Sequence, residues 1–205
     1  FSLIYFFIFK EKKIKILLFS AILTSLVISP YLVRNFINFD TIVLTKSFGY
    51  NLLKGNNPSM RVDGDPEFIE TNFNRKDLEI KTDSKYEINL ENIYKKAAIE
   101  YLKEDPIKYI KFYFIKVFSF MTINLDSSYP NYYHPMHVIP KLLISFFSIL
   151  GAISLIKKKG FFQFLSIFYL INILFFSIFF ILPRYSLILL PVKLLLSSFI
   201  IEKLG

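Results

Sequence analysis

The residues of this 205-residue sequence that could do chemistry are mostly cations at the margins of apolar runs. Arg184 and Tyr185 follow Pro183 at the start of one such run. A guanidinium there can hold two oxygens of a phosphate at once, or it can simply anchor the chain at a membrane surface. Arg34 ends an earlier apolar run and admits the same two readings, with the anchor favoured. Lys193 interrupts the last apolar run, about 13 Å along a helix from Arg184 at 1.5 Å per residue. It either faces a cavity or snorkels toward water. Asp63-Gly64-Asp65 carries the paired carboxylates that hold a divalent ion against a diphosphate, yet the same triplet is an ordinary solvated turn, which is the preferred reading. His134 and His137 have only tyrosines nearby, so a zinc site lacks its third ligand. Absence of cysteine excludes a disulfide scaffold, a thiolate metal site and a cysteine nucleophile. No cofactor is expected; a divalent metal is possible but has no support in these residues.

The elements that must position these groups are apolar and long. The sequence is 54% hydrophobic and 19% aromatic, with 25 Phe, 13 Tyr and no Trp, and its charges gather between residues 54 and 116. Such clustering excludes a soluble globule with apolar residues spread at helix or strand period. No charge falls between Lys15 and Arg34, and the run is long enough to cross a bilayer, which needs about 20 apolar residues. The stretches from Leu142 to Ile156 with its flanks, from Phe161 to Leu182 and from Ser186 to Ile201 read the same way. Residues 1–9 are apolar to the chain's edge and lack a signal peptide's basic head. They read as the tail of a further span, which makes the chain a fragment. The expected fold class is an all-α integral membrane protein, a multi-span helix bundle.

Short basic loops favour the cytoplasm. Placing the Lys10–Lys15 and Lys157–Lys159 clusters inside sends Arg34, the following polar segment and Pro183-Arg184-Tyr185 outside. The chain then divides into residues 1–35 (a truncated span plus one transmembrane helix), 36–137 (an extracytoplasmic loop) and 138–205 (three transmembrane helices). The topology holds if residues 106–124 lie in the outer interface rather than cross. Lys108, Lys111 and Lys116 share one broad helical face there, as an interfacial helix requires. The first part of the outer loop reads as turns. Residues 90–104 read as a helix capped by Asn89, and Asp105-Pro106 ends it and starts the next. The net charge of +9 is thereby used for topology and for the interface, so nucleic acid is not an expected partner.

Three segments stand out together: SPYLVRNFINFDTIVLTKSFGYNLLKGNNP (29–58), AAIEYLKEDPIKYIKFYFIKVF (97–118) and LPRYSLILLP (182–191). Their order resembles the C-terminal half of bacterial GT-C-fold membrane glycosyltransferases, of the protein O-mannosyltransferase-like and aminoarabinose-transferase-like kinds, including those that modify lipopolysaccharide. In those enzymes a P-x-x-x-R-N stretch precedes a G-Y-N-L-x-x-G-N-N-P loop. Pro30, Arg34 and Asn35 match the first, and Gly49, Tyr50, Asn51, Gly55, Asn56, Asn57 and Pro58 fall in the second. A late R-Y-x-x-x-x-x-P is matched by Arg184, Tyr185 and Pro191. The tryptophans that often follow such prolines are absent here.

The resemblance implies a GT-C-like bundle in the bacterial inner membrane, moving a sugar from a polyprenyl-phosphate donor to an envelope glycan, lipid or protein acceptor on the outer face. Arg184 and Tyr185 would bind the donor phosphate, and Arg34 with the Gly49–Asn57 stretch would form a loop over the site, a stretch that reads equally as a surface turn. By their positions, Lys108 and Lys111 read as interface residues drawn to anionic headgroups or to donor or acceptor phosphates, and Lys193 as a cavity residue. The family's catalytic Asp lies in an earlier outer loop that nothing here matches, so no catalytic residue is assigned. Two other classes remain open: a membrane scaffold protein whose outer loop binds a partner, and a transporter or flippase for a lipid-linked glycan with Lys193 on its pathway.

Overall fold

The computed structural model describes residues 14–45, 47–74, 78, 80, 83, 85–158 and 160–204. Among them the chain is helical without a strand: α1 (Ile14–Phe39), α2 (Phe48–Gly55), α3 (Pro66–Asn72), α4 (Tyr86–Glu104), α5 (Pro106–Met121), α6 (Pro135–Leu155), α7 (Phe161–Phe176), α8 (Pro183–Ile188) and α9 (Leu190–Leu204). Two of these, α1 and α6, are long and apolar enough to cross a membrane. The span expected at residues 1–9 lies outside the described residues.

Helix α1 runs unbroken through Pro30. Leu18, Phe19, Ile22, Leu26 and Val27 are exposed, and Asn35 is buried, donating from Nδ2 to the Val43 carbonyl at 2.7 Å.

Helices α6, α7 and α9 form a bundle whose seams are lined by small residues, which let helix backbones approach closely. Gly151 makes the closest approach: a Cβ there would stand 2.1 Å from the Leu196 carbonyl oxygen. Ser197 Oγ donates across the same seam to the Ile144 carbonyl at 3.1 Å. At the far end, the Lys158 ammonium sits 4.6 Å from the Phe199 ring centroid, and Phe162 packs on Phe199 at 5.8 Å. The α6–α7 turn and the C-terminal end of α9 therefore share one pole, so α6 and α9 run in the same direction with α7 against them. Outward, Ile139, Leu143, Phe146, Phe161, Phe175 and Leu195 are exposed.

Two expected spans are interrupted. The run from Phe161 to Leu182 is helical only to Phe176. Phe180, Ile181 and Leu182 then continue as a buried non-helical segment, held by the Ile181 N–H donating to the Val62 carbonyl at 2.8 Å. The run from Ser186 to Ile201 breaks at Leu189 between α8 and α9. Pro191 is the cause: it has no N–H for the Leu187 carbonyl, and its ring disfavours a helical residue before it.

Opposite the basic pole, α2 to α4 form a cap with its own core of Leu52, Leu53, Ile69, Leu90, Tyr94 and Ala98, while Tyr109, Phe112 and Phe120 of α5 join the core of the bundle. The segment expected as turns is thus partly helical. Glu91 accepts from the backbone N–H groups of Gly49 and Tyr50 at the start of α2, supplying the negative charge that a helix N-terminus favours. Helix α4 begins at Tyr86, earlier than expected, which leaves Asn89 inside it rather than at its cap. Asp105-Pro106 does divide α4 from α5, with the Asp105 carboxylate accepting from the Lys108 N–H at 3.0 Å.

Helix α5 has three faces. Tyr109, Phe112, Lys116, Ser119 and Phe120 are buried, Ile107, Ile110, Phe114 and Phe118 form an exposed apolar stripe, and Lys108 and Lys111 are exposed beside it. Lys116 therefore does not share the lysine face expected of it. It lies four residues after Phe112 and seven after Tyr109, on the stripe that turns into the protein.

Candidate functional site

A cavity of about 540 Å³ lies between the segment leading into α6 and the α8–α9 break. Apolar side chains such as Ile123, Ile144, Leu187 and Leu190 make most of its wall. Its polar lining includes three cations, Arg184, Lys141 and Lys193, and no carboxylate among the described residues. Lys193 is 3% exposed, and its ammonium donates to Ser145 Oγ at 3.4 Å. Of the two readings open to it, the cavity is where its side chain lies. The Lys141 ammonium donates to the Tyr132 hydroxyl at 2.9 Å and stands 5.0 Å from that ring's centroid. Arg184 is exposed, at the start of α8.

The break at Leu189 places Arg184 and Lys193 on different helices that line one cavity. Tyr185 does not line the cavity, although the Arg184 guanidinium stands 5.9 Å from its ring centroid. Its ring stacks on Phe176 at 5.4 Å and packs against Phe180 at 6.0 Å, so its part is to fix the buried segment after α7. Arg34 is exposed on α1, and Lys108 and Lys111 are exposed on α5; none of the three lines the cavity.

The Gly49–Asn57 stretch is not a loop over this site. It forms α2 and its C-terminal turn, and neither Gly49 nor Gly55 has a positive φ. These glycines serve close approach instead: a Cβ on Gly49 would lie 2.4 Å from the Glu91 carbonyl oxygen, and one on Gly55 2.2 Å from that of Phe179. Tyr50 packs edge-on against Tyr94 at 5.7 Å, and Asn51 donates its N–H to the Ser47 carbonyl at 3.0 Å. Asn57 Nδ2 donates to the Leu53 and Lys54 carbonyls, each at 3.0 Å. Asn56 joins cap to bundle, its Nδ2 reaching the Ile178 carbonyl at 2.8 Å.

Beside Asn56, Lys116 Nζ donates to Asn56 Oδ1 at 2.8 Å and to the carbonyls of Gly55 at 3.1 Å and Phe179 at 2.7 Å. Burial pulls its pKa down to about 7.

Asp63 and Asp65 each hold structure. Asp63 Oδ2 accepts from the Ser128 N–H at 3.0 Å and its hydroxyl at 2.9 Å, tying the cap to the segment before α6, while Asp65 caps α3 by accepting from the Phe68 N–H at 3.1 Å. Arg61 lies 3.8 Å from Asp63 Oδ1. Lys54 sits near both carboxylates, 4.5 Å from the Phe180 ring centroid. Burial lowers its pKa, the Arg184 charge pushes the same way, and Asp63 and Asp65 oppose them. His134 accepts from the Met136 N–H at 3.3 Å at the start of α6, and His137 lines the cavity.

No protein-family model, curated protein or solved structure matches this chain.

Sequence reasoning passed over Lys141, Tyr132 and the inward turn of Lys116. Lys141 had one signal available, a lone charge in the second turn of an otherwise apolar helix after Pro140. Chemically, an apolar cavity with unneutralised cations suits an anion that carries a hydrocarbon tail. Removing a cation from water without a counter-charge is costly, and an anionic ligand offsets that cost.

Proposed function

We propose that this chain forms the lipid-phosphate site of a membrane glycosyltransferase, which moves a sugar from a polyprenyl-phosphate donor to an envelope glycan, lipid or protein acceptor. The observation that carries the reading is the cavity itself, an apolar space lined by Arg184, Lys141 and Lys193 with no carboxylate among the described residues. The motif resemblance supplies the sugar and the polyprenyl chain.

In the bundle so read, α6, α7 and α8–α9 span the bacterial inner membrane, the basic α6–α7 turn faces the cytoplasm, and the cap faces outward. Helix α5 lies at the outer surface, its Ile107, Ile110, Phe114 and Phe118 stripe in the acyl boundary and its lysines among headgroups. As the bond between the sugar's anomeric carbon and the phosphate oxygen breaks, negative charge grows on the departing phosphate. Arg184 meets that charge with a fork of donors, and Lys141 and Lys193 add fixed positive charge in a setting that screens little. The acceptor hydroxyl's proton goes to a base outside the cavity wall.

The test is turnover of a polyprenyl-phosphate sugar by the full-length protein that carries this chain, in nanodiscs. Arg184→Ala is expected to lower turnover by about 10²–10³, with Arg184→Lys recovering only part, because lysine keeps the charge and loses the planar fork. Near-normal turnover of the lysine variant would leave Arg184 a surface anchor. Accelerated exchange of a labelled polyprenyl phosphate between leaflets, without sugar transfer, would favour a flippase.

A further inference from the structure

Asn124 follows α5 on the segment that leads to α6, and it is 4% exposed. Its Oδ1 accepts from the Asp126 N–H at 3.1 Å, which fixes the orientation of the amide. Its Nδ2 is then left buried with no hydrogen-bond acceptor among the described residues. Native structures rarely leave a buried donor so, and such a group calls for a partner. Beside it, the Tyr132 hydroxyl accepts twice, from the Asn124 N–H at 2.9 Å and from Lys141 Nζ at 2.9 Å. With both acceptor positions taken, the phenolic proton is directed elsewhere.

Asn124, Tyr132, Lys141 and Ser186 line a recess of about 10 Å³, room for one water-sized group. Tyr132, Lys141, Pro183 and Ser186 also line the large cavity, so the recess adjoins its wall. Asn124, Tyr132 and Lys141 thus line one space sized for one oxygen, with Ser119, Ser127 and Ser186 beside them and no carboxylate among the described residues around it. A group that accepts from all three and donates to none is an anionic oxygen.

We infer that Asn124, Tyr132 and Lys141 seat one oxygen of a phosphate, leaving its other oxygens to the cations of the larger cavity. The inference rests on the proposed function for the identity of the lipid, though not for the anion. An isoprenoid phosphate, a phospholipid headgroup and free phosphate all present this oxygen, and binding measurements tell them apart.

The protein in nanodiscs of zwitterionic lipid is titrated separately with a polyprenyl monophosphate, the matching polyprenol, inorganic phosphate and phosphatidylglycerol. Asn124→Asp keeps the acceptor for the Asp126 N–H and turns an oxygen toward the anion. Tyr132→Phe removes the hydroxyl and frees Lys141, and it serves as the reading if the Asp variant fails to fold. Polyprenyl phosphate binding is expected to weaken at least tenfold in both variants, with polyprenol binding unchanged. The same loss with phosphatidylglycerol or inorganic phosphate, and not with the polyprenyl phosphate, would keep the seat and reassign its source. Two results overturn it: variants that bind every phosphate ligand as tightly as the parent, or a parent that binds none of them. Weakened binding in the variants, beside a full-length parent that transfers no sugar, would remove the transferase reading alone. Normal binding in these variants, beside lost turnover in Arg184→Ala, would remove the seat alone.

Discussion

Lys116 and Lys193 are both buried lysines with no carboxylate partner among the described residues, yet their surroundings differ in kind. Lys116 is enclosed, and three oxygens converge on its ammonium within 3.1 Å. Lys193 faces a cavity and reaches a single hydroxyl at 3.4 Å. The first has its needs met by the fold, because the C-terminal turn of α2 and the segment after α7 both end in carbonyls with no helical partner. The second does not, and an incompletely solvated cation beside empty apolar space is what a tailed anion would complete. Burial alone therefore does not mark a functional lysine. The count of oxygens around it does.

That contrast can be broken most decisively at Lys116. Lys116→Met matches the length of the side chain but leaves the acceptors on Gly55, Asn56 and Phe179 without their donor. At about 1–3 kcal/mol per orphaned buried group, stability should fall by roughly 3–5 kcal/mol. Thermal unfolding in detergent would read this as a large drop, with the cap released first in limited proteolysis. A variant as stable as the parent would mean that the junction does not depend on the lysine.

The same junction is tight in space. In Gly55→Ala the added methyl meets the Phe179 carbonyl, so α2 or the buried segment has to shift, at a cost of about 1–3 kcal/mol. Thermal unfolding beside a control substitution at exposed Ser198 would separate this overlap from a general helix effect.

A pH series sharpens the comparison. Burial lowers the folded pKa of Lys116 to about 7 from the ordinary lysine value of 10.5. Between those values the unfolded chain binds a proton that the folded chain does not, so stability rises with pH across that window. The contribution is at most about 1.4 kcal/mol per pH unit. Denaturant unfolding at pH 7 and pH 9 should show it in the parent, and Lys116→Met should lose it.

The smallest stability effect is expected at Lys193. Lys193→Met removes a desolvated charge from an apolar seam, so stability should stay within about 1 kcal/mol of the parent or rise. Binding of a polyprenyl phosphate should nonetheless weaken. A variant that unfolds like Lys116→Met would place both lysines in the same structural class.

How much of this was legible from the residues depended on whether a signal was local. The Asp105-Pro106 boundary was, because an N-cap carboxylate and a proline at the first helical position act within one turn. The interruptions of the two late apolar runs were harder to see. Pro191 was in view, but apolar content continues through the break and hydropathy does not register it. The Gly49–Asn57 stretch misled because glycine and asparagine favour turns, whereas here glycine serves close helix packing and asparagine caps carbonyls.

By itself, then, the sequence determined the helical class, the apolar segments, the basic clusters and the cations from which a site would have to be built, since each follows from composition and short-range period. It also marked Arg184 and Lys193 as residues with charge in unusual places. Only the tertiary structure decided that they line one cavity with Lys141, that Tyr185 packs on Phe176 under the Arg184 guanidinium and that Lys116 turns inward. Those outcomes depend on which face of each helix meets a neighbour and on where residues far apart in the chain converge. Helical period fixes the angles between side chains on one helix, but the direction of the whole pattern is set by what packs against it.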